Sequence, residues 1–286
     1  MAEPRDAAAD PSVFRGAGVA LLTMFDRDGS LLLDETAAFA ATLAQRGTAA
    51  ILVAGTTGEF WTLSTDERLA LIAAVRERVD GAVPVIAGIG ALDASHTLEL
   101  AAAVGQTGAD AALCLVPRDV DPLALLPKVR DLVGDLPLLG YHFPAAGYAP
   151  LAVEDLAALP IDGLKDSSGD PQRLLATATT RRAGVYSIAS AKRLAAGCPK
   201  GIYTGSALLC SLGAALQIEG AILAMANAAP ELGQQAFGGS LSAQRELALL
   251  TATIGGGTPP TALKAHVAER SATPPWTRGV ALADVL

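Results

Sequence analysis

Short β-branched or apolar runs alternate with longer Ala/Leu-rich stretches along most of this chain. The runs 18–22, 50–54, 83–88, 111–116, 138–141 and 163–165 read as strands, and Gly201–Thr204 and Gly220–Leu223 add two more. Between them 34–46, Thr65–Val79, 97–107 and Pro122–Val133 read as helices. Ser64 followed three residues later by Glu67 forms a capping box, in which each side chain satisfies an orphan backbone N–H of the first turn. Gly47, Gly81, Gly108 and Gly134 each follow a helical stretch, where a left-handed residue is expected.

Eight strand–helix units in roughly 210 residues predict a (β/α)8 TIM barrel. From about Asn227 onward the pattern is helical, over 228–237, 242–254 and 260–268, with a Pro- and Gly-rich loop at 255–260. The expected organisation is a disordered tail over 1–12, a barrel over 13–225 and a C-terminal helical extension over 226–286. An open doubly wound sheet is the alternative, but no Gly-x-Gly-x-x-Gly follows the first strand. Gly88-Ile89-Gly90 lacks the third glycine and reads as a close-approach turn.

Composition narrows the function classes. Of the 286 residues 51% are hydrophobic and the mean hydropathy is +0.39, enough for a large core. Much of this is Ala, and no window reaches the roughly 18 unbroken apolar residues of a membrane span. The start, Met1 to Ser12, is polar and acidic and does not read as a signal peptide. A net charge of −8 without a basic cluster argues against nucleic acid or membrane partners. Cys114, Cys198 and Cys210 have no metal-ligand spacing and read as reduced thiols of a cytoplasmic protein. His96, His142 and His266 are far apart, so no metal site built on histidines is expected.

If the barrel holds, chemistry belongs at the C-terminal ends of its strands. Lys165 stands at such an end, in Gly163-Leu164-Lys165-Asp166-Ser167-Ser168-Gly169, in a chain where only five of 21 basic residues are Lys. A desolvated Lys can lose its proton and attack a carbonyl, which Arg cannot do; the alternative is a structural Lys paired with Asp162 or Asp166. Gly55-Thr56-Thr57-Gly58-Glu59 follows the second strand and places backbone N–H groups and two hydroxyls to meet an anion such as a carboxylate; the alternative is a self-capped tight turn. Tyr141 ends the fifth strand, where a phenol can relay protons or simply fill the rim, and His142 faces the other way and reads as structural. Amine, phenol and hydroxyl pair together are the parts needed to form a Schiff base with a 2-oxo acid.

In order, these segments resemble the dihydrodipicolinate synthase / N-acetylneuraminate lyase family of class I pyruvate-type aldolases. Thr23-Met24-Phe25-Asp26-Arg27-Asp28-Gly29 is similar to its T-P-F-x-x-D-G opening, Gly55 to Glu59 matches its G-T-T-G-E, Tyr141-His142-Phe143-Pro144 resembles Y-N-x-P, and Gly163 to Asp166 resembles G-x-K-[ED]. Tyr203-Thr204-Gly205-Ser206, Gly220-Ala221-Ile222 and Asn227-Ala228-Ala229-Pro230-Glu231 are similar to later family segments, and the likeness covers residues 15–270. The resemblance implies that Lys165 forms the Schiff base and Tyr141 shuttles protons. It implies that Gly55, Thr56 and Thr57 bind the carboxylate, while Gly205 and Ile222 shape the site. It further implies a homo-oligomer, tetramer or dimer, with a 2-oxo acid and an aldehyde as small-molecule partners and no metal or organic cofactor.

Departures bear on the substrate. Where family synthases carry a tyrosine pair after the fourth strand, Val116-Pro117-Arg118-Asp119 stands here, and Ala145-Ala146-Gly147 replaces an Arg that binds the aldehyde partner's carboxylate. Gly205-Ser206 and Phe60-Trp61 resemble the 2-keto-3-deoxy-sugar-acid enzymes instead. Arg118 suits an acidic or polyhydroxylated substrate or is a surface loop residue. The expected function is cleavage or formation of a carbon–carbon bond between pyruvate and an aldehyde, with a 2-keto-3-deoxy sugar acid as the preferred substrate. The alternatives are 4-hydroxy-tetrahydrodipicolinate synthase, a dehydratase on the same scaffold, and a non-catalytic 2-oxo-acid-binding barrel. The stretch between Lys165 and Gly205 is longer than the family pattern implies, which makes Tyr186-Ser187-Ile188 a rival for strand seven.

Overall fold

The structure is a computed structural model that describes residues 12–183, 201–255, 260–279 and 282–285. Eight parallel strands close into a barrel in sequence order: β1 (Gly16–Ala20), β2 (Ile51–Val53), β3 (Val85–Gly88), β4 (Ala111–Leu115), β5 (Leu138–His142), β6 (Gly163–Asp166), β7 (Gly201–Thr204) and β8 (Gly220–Leu223). Every residue of β2 to β8 is buried, as expected of strands with side chains inside on one face and helices on the other. The seventh place belongs to Gly201–Thr204, in register with both β6 and β8. Tyr186-Ser187-Ile188 lies outside the described residues.

Four helices alternate with the first strands: α1 (Leu33–Gln45), α2 (Thr65–Val79), α3 (Ala94–Ala103) and α4 (Pro122–Val133). The capping box forms as the sequence predicts, with Glu67 N–H donating to Ser64 Oγ at 3.2 Å and Ser64 N–H to Glu67 Oε2 at 2.9 Å. Gly47, Gly81, Gly108 and Gly134 all have positive φ. α3 begins three residues before the expected 97 because Asp93 caps it, accepting the His96 N–H at 2.8 Å. β1 begins and ends two residues earlier than expected: Leu21 and Leu22 are buried, but the Leu22 N–H turns to Asn227 Oδ1 instead of a neighbouring strand. Gly88 and Gly90 are close-approach positions. A Cβ on Gly88 would lie 2.2 Å from the Ala54 carbonyl oxygen, and one on Gly90 2.7 Å from the Leu115 nitrogen.

Beyond β6 come α5 (Pro171–Ala183), α6 (Cys210–Ala215), α7 (Pro230–Phe237), α8 (Leu241–Ile254) and α9 (Thr261–Ala268). α7 packs on β1 and β8, α8 packs on α7, and α9 reaches the C-terminal mouth of the barrel. No helix among the described residues is long and apolar enough to cross a membrane.

Candidate active site

A cavity of about 810 Å³ opens at the C-terminal mouth of the barrel. Thr56, Thr57, Tyr141, Lys165, Gly205 and Ile222 all line it. Gly55 stands just behind, its carbonyl accepting the Gly58 N–H at 3.0 Å and the Phe60 N–H at 3.4 Å. The hydroxyl turn is thus a 3-10 turn over Thr56–Gly58, fixed to β1's exit by Thr23 Oγ1 donating to the Gly58 carbonyl at 2.7 Å.

Strand alternation sorts the residues around Lys165. Lys165 points inward and is 2% exposed, while Asp166 points outward to α5, where Arg173 Nε meets its Oδ2 at 2.6 Å. Asp162 is taken by Arg130, whose Nη2 lies 2.5 Å from Oδ2. Both carboxylates that offered a structural reading of Lys165 therefore have guanidinium partners. The Lys165 Nζ instead stands 4.2 Å from the centroid of the Tyr141 ring. Tyr141 Oη in turn lies 3.3 Å from Thr56 Oγ1, so amine, phenol and hydroxyl turn form one continuous surface.

Gly205 has a steric reason to be glycine. Its N–H donates to the Asp166 carbonyl at 2.6 Å, and a Cβ there would come within 1.8 Å of Ser167 Oγ. Ile222, buried on β8, supplies apolar wall. His142 faces the helical layer; its Nδ1 accepts the Leu151 N–H at 3.0 Å. Burial pushes its pKa below 6.5, the Arg173 guanidinium lowers it further, and Asp166 partly opposes. Arg118 is exposed, donates to the Gly147 carbonyl at 3.0 Å, and does not line the cavity.

Four hydroxyl residues of the lining, Ser167, Ser206, Thr251 and Thr261, had no site role from the sequence, Ser206 entering only beside Gly205 as a mark of substrate class. Ser167 and Ser206 sit in strand-end turns and were findable; Thr251 and Thr261 lie on α8 and α9, with no local signal to place them there. Tyr148 does not line the cavity; it is 3% exposed beside Phe60, the ring centroids 6.2 Å apart. Its hydroxyl has no hydrogen-bond partner among the described residues. Burial pushes its pKa up, the Arg68 guanidinium partly offsets this, and Tyr141 adds to it. Among the described residues no group of three or more His, Cys, Asp or Glu side chains is placed to hold a metal ion.

A closed parallel barrel with a buried lysine and a phenol on adjacent strand ends is a scaffold for carbonyl chemistry at its mouth. The chain belongs to the dihydrodipicolinate synthetase family, whose model matches residues 13–237. It is 36% identical over 179 residues to 4-hydroxy-tetrahydrodipicolinate synthase of Corynebacterium aurimucosum, a match covering 59% of each chain. That is less than two thirds of the relative's length. A synthase of the same name from Thiobacillus denitrificans is 35% identical over 255 residues, covering 83% of this chain and 79% of the relative. Among solved structures, the chloride-inhibited dihydrodipicolinate synthase of Acinetobacter baumannii in complex with pyruvate superposes with a TM-score of 0.74 at 25% identity, over 89% of this chain and 88% of that one.

Proposed function

We propose that this protein is a Schiff-base-forming lyase that cleaves or forms a carbon–carbon bond between pyruvate and an aldehyde, acting on a 2-keto-3-deoxy sugar acid. The observation that carries this reading is the placement of Lys165. It is buried at the mouth with both neighbouring carboxylates already paired to arginines and its Nζ over the Tyr141 ring.

In the cleavage direction Thr56 and Thr57 hold the substrate carboxylate. The unprotonated Lys165 amine adds to carbon 2, Tyr141 gives its proton to the departing oxygen, and water leaves an iminium. The iminium draws in the electron pair of the bond between carbons 3 and 4. The hydroxyl on carbon 4 returns a proton to the Tyr141 phenolate as the aldehyde departs. Tyr141 then protonates the resulting enamine at carbon 3, and water hydrolyses the iminium to pyruvate and the free amine, returning a proton to the phenolate.

The wall chemistry favours an uncharged aldehyde half. Among the described residues no Arg, Asp, Glu, His or second Lys joins Lys165 in lining the cavity, whereas Ser167, Ser206, Thr251 and Thr261 offer neutral hydroxyls. An aldehyde carrying a carboxylate would enter without a countercharge, and burying an unpaired charge is costly. The second reading, 4-hydroxy-tetrahydrodipicolinate synthase, is favoured by the names of the relatives. A dehydratase would consume sugar acid without releasing pyruvate, and a non-catalytic barrel would bind a 2-oxo acid with no product. We further expect a homo-oligomer, tetramer or dimer, in the cytoplasm; light scattering tests the assembly.

The deciding experiment is incubation with pyruvate and borohydride followed by peptide mass spectrometry. A reduced adduct on Lys165, lost in Lys165→Ala, supports the Schiff base; an unmodified Lys165 in folded protein removes it. Pyruvate release from 2-keto-3-deoxy sugar acids, compared with condensation of pyruvate and aspartate semialdehyde, then separates the two substrate readings.

A further inference from the structure

The hydroxyl turn ends on Glu59, whose side chain is wholly buried. Its backbone is left-handed, φ 55° and ψ 40°, a region a non-glycine residue occupies only when its surroundings hold it there. The Glu59 N–H bonds the Thr56 carbonyl at 3.2 Å, and the Glu59 carbonyl accepts the Thr62 N–H and Oγ1, each at 2.9 Å. What pins the side chain comes from the other end of the sequence. Lys264 Nζ lies 2.5 Å from Glu59 Oε1, and the Arg278 N–H donates to Oε2 at 3.0 Å.

Lys264 is equally enclosed. Its Nζ donates to the Trp276 carbonyl at 2.8 Å and stands 4.5 Å from the centroid of the Phe25 ring. It follows directly on Thr261, Ala262 and Leu263, which line the cavity from α9. The Arg278 side chain binds both Glu67 oxygens, at 2.6 and 2.8 Å, and the Thr62 carbonyl at 2.7 Å, tying the same segment to the start of α2. Neither Glu59 nor Lys264 lines the cavity, yet each adjoins residues that do.

A dry ion pair is a poor device for stability, because the cost of removing two charges from water cancels most of their attraction; apolar residues of similar volume serve as well or better. It is a good device for setting one geometry, since any other leaves a charge buried and unpaired. We propose that Glu59 and Lys264 are positioning residues for 2-oxo-acid binding: their ion pair fixes the spacing between the Thr56–Thr57 turn and the α9 wall, and so sets how tightly the substrate carboxylate is held. The inference rests on the reading of that turn as the carboxylate site and of Lys165 as the amine. Lys165 and Tyr141 stand on β6 and β5 and owe their placement to the barrel register. Disturbing the pair therefore weakens binding and leaves the amine competent.

The test is borohydride trapping on Lys165 as a function of pyruvate concentration, in the wild type, in the double variant Glu59→Gln/Lys264→Met, and in Glu59→Asp. The double variant removes both charges with little change in volume; Glu59→Asp keeps the charge but shortens the reach. In both variants the half-saturating pyruvate concentration is expected to rise about tenfold, while the extent of trapping at saturation stays at the wild-type level. If the pair only stabilises the fold, its loss would lower the folded fraction, and with it the maximal extent, and leave half-saturation unmoved; that result overturns the proposal. Should the double variant not fold, Glu59→Asp decides alone, and wild-type half-saturation there overturns it. An untrapped wild type removes the Schiff-base reading and this inference with it, a result distinct from a trapped wild type whose variants saturate identically.

Discussion

Lys165 and Tyr141 are register partners on neighbouring strands, and the lysine Nζ stands 4.2 Å from the centre of the tyrosine ring. In a parallel sheet, partners in register send their side chains to the same face. The ring face therefore fixes the amine, and the ring's far end is left free to meet Thr56 at 3.3 Å. The phenol sits between the proposed attacking group and the proposed carboxylate site, where the protons of the proposed carbinolamine formation and bond cleavage would pass.

Tyr141→Phe keeps the ring under the amine and deletes only the hydroxyl. It is expected to lower kcat by about 10²- to 10⁴-fold, the usual contribution of a positioned proton carrier. The protein should fold as the wild type does, and Lys165 should still be trapped by borohydride, more slowly. Steady-state pyruvate release and the trapping rate check this; an unchanged kcat would take the proton role from Tyr141.

Tyr148 offers a contrasting tyrosine. Its hydroxyl is buried without a partner among the described residues, which leaves an unmet desolvation cost. Tyr148→Phe removes that cost at nearly constant volume and is expected to stabilise the protein by about 1 kcal/mol. Denaturant unfolding gives the value. A loss of stability would mean that the hydroxyl has a partner, and a large fall in kcat would put it in the proton path with Tyr141.

His142 is expected to make the fold sensitive to acid. Burial and the Arg173 guanidinium hold its pKa below 6.5, so the imidazole takes up a proton more readily in the unfolded chain. Its contribution is fully present above that value and is lost as pH falls from there through the lowered folded pKa. His142→Asn keeps an acceptor for the Leu151 N–H and removes the titration. The melting temperature of the wild type should fall more steeply than that of the variant between about pH 7 and pH 5. Parallel curves would show that the imidazole charges equally in both states.

Cys114 and Cys210 are free and buried, and burial raises each thiol pKa to about 12. The thiolate is the reactive form, so neither should react with iodoacetamide at pH 8 in the native protein, and both should react in denaturant. Peptide mapping of the labelled chain checks this residue by residue; rapid native labelling of either would show that its strand or helix opens readily.

The eight strands, the capping box at Ser64 and Glu67, the helix-ending glycines and the lysine at the end of the sixth strand were all legible in the sequence. Their signals are local: buried strands are short continuous apolar runs, and caps depend on residues three or four apart. Local signals blurred where distant partners decide. β1 stops at Ala20 because Asn227 captures the Leu22 N–H, and no pattern around Leu22 announces that. Tertiary structure alone settled that Asp162 and Asp166 belong to Arg130 and Arg173 and leave Lys165 to Tyr141. It alone brought Thr251, Thr261 and Leu263 to the cavity and buried Lys264 against Glu59. The physical reason is that the barrel gathers eight strand ends at one mouth and the C-terminal helices add residues to its wall. The chemistry of that mouth is set by contacts between residues far apart in the chain, and closing the barrel is what brings them together.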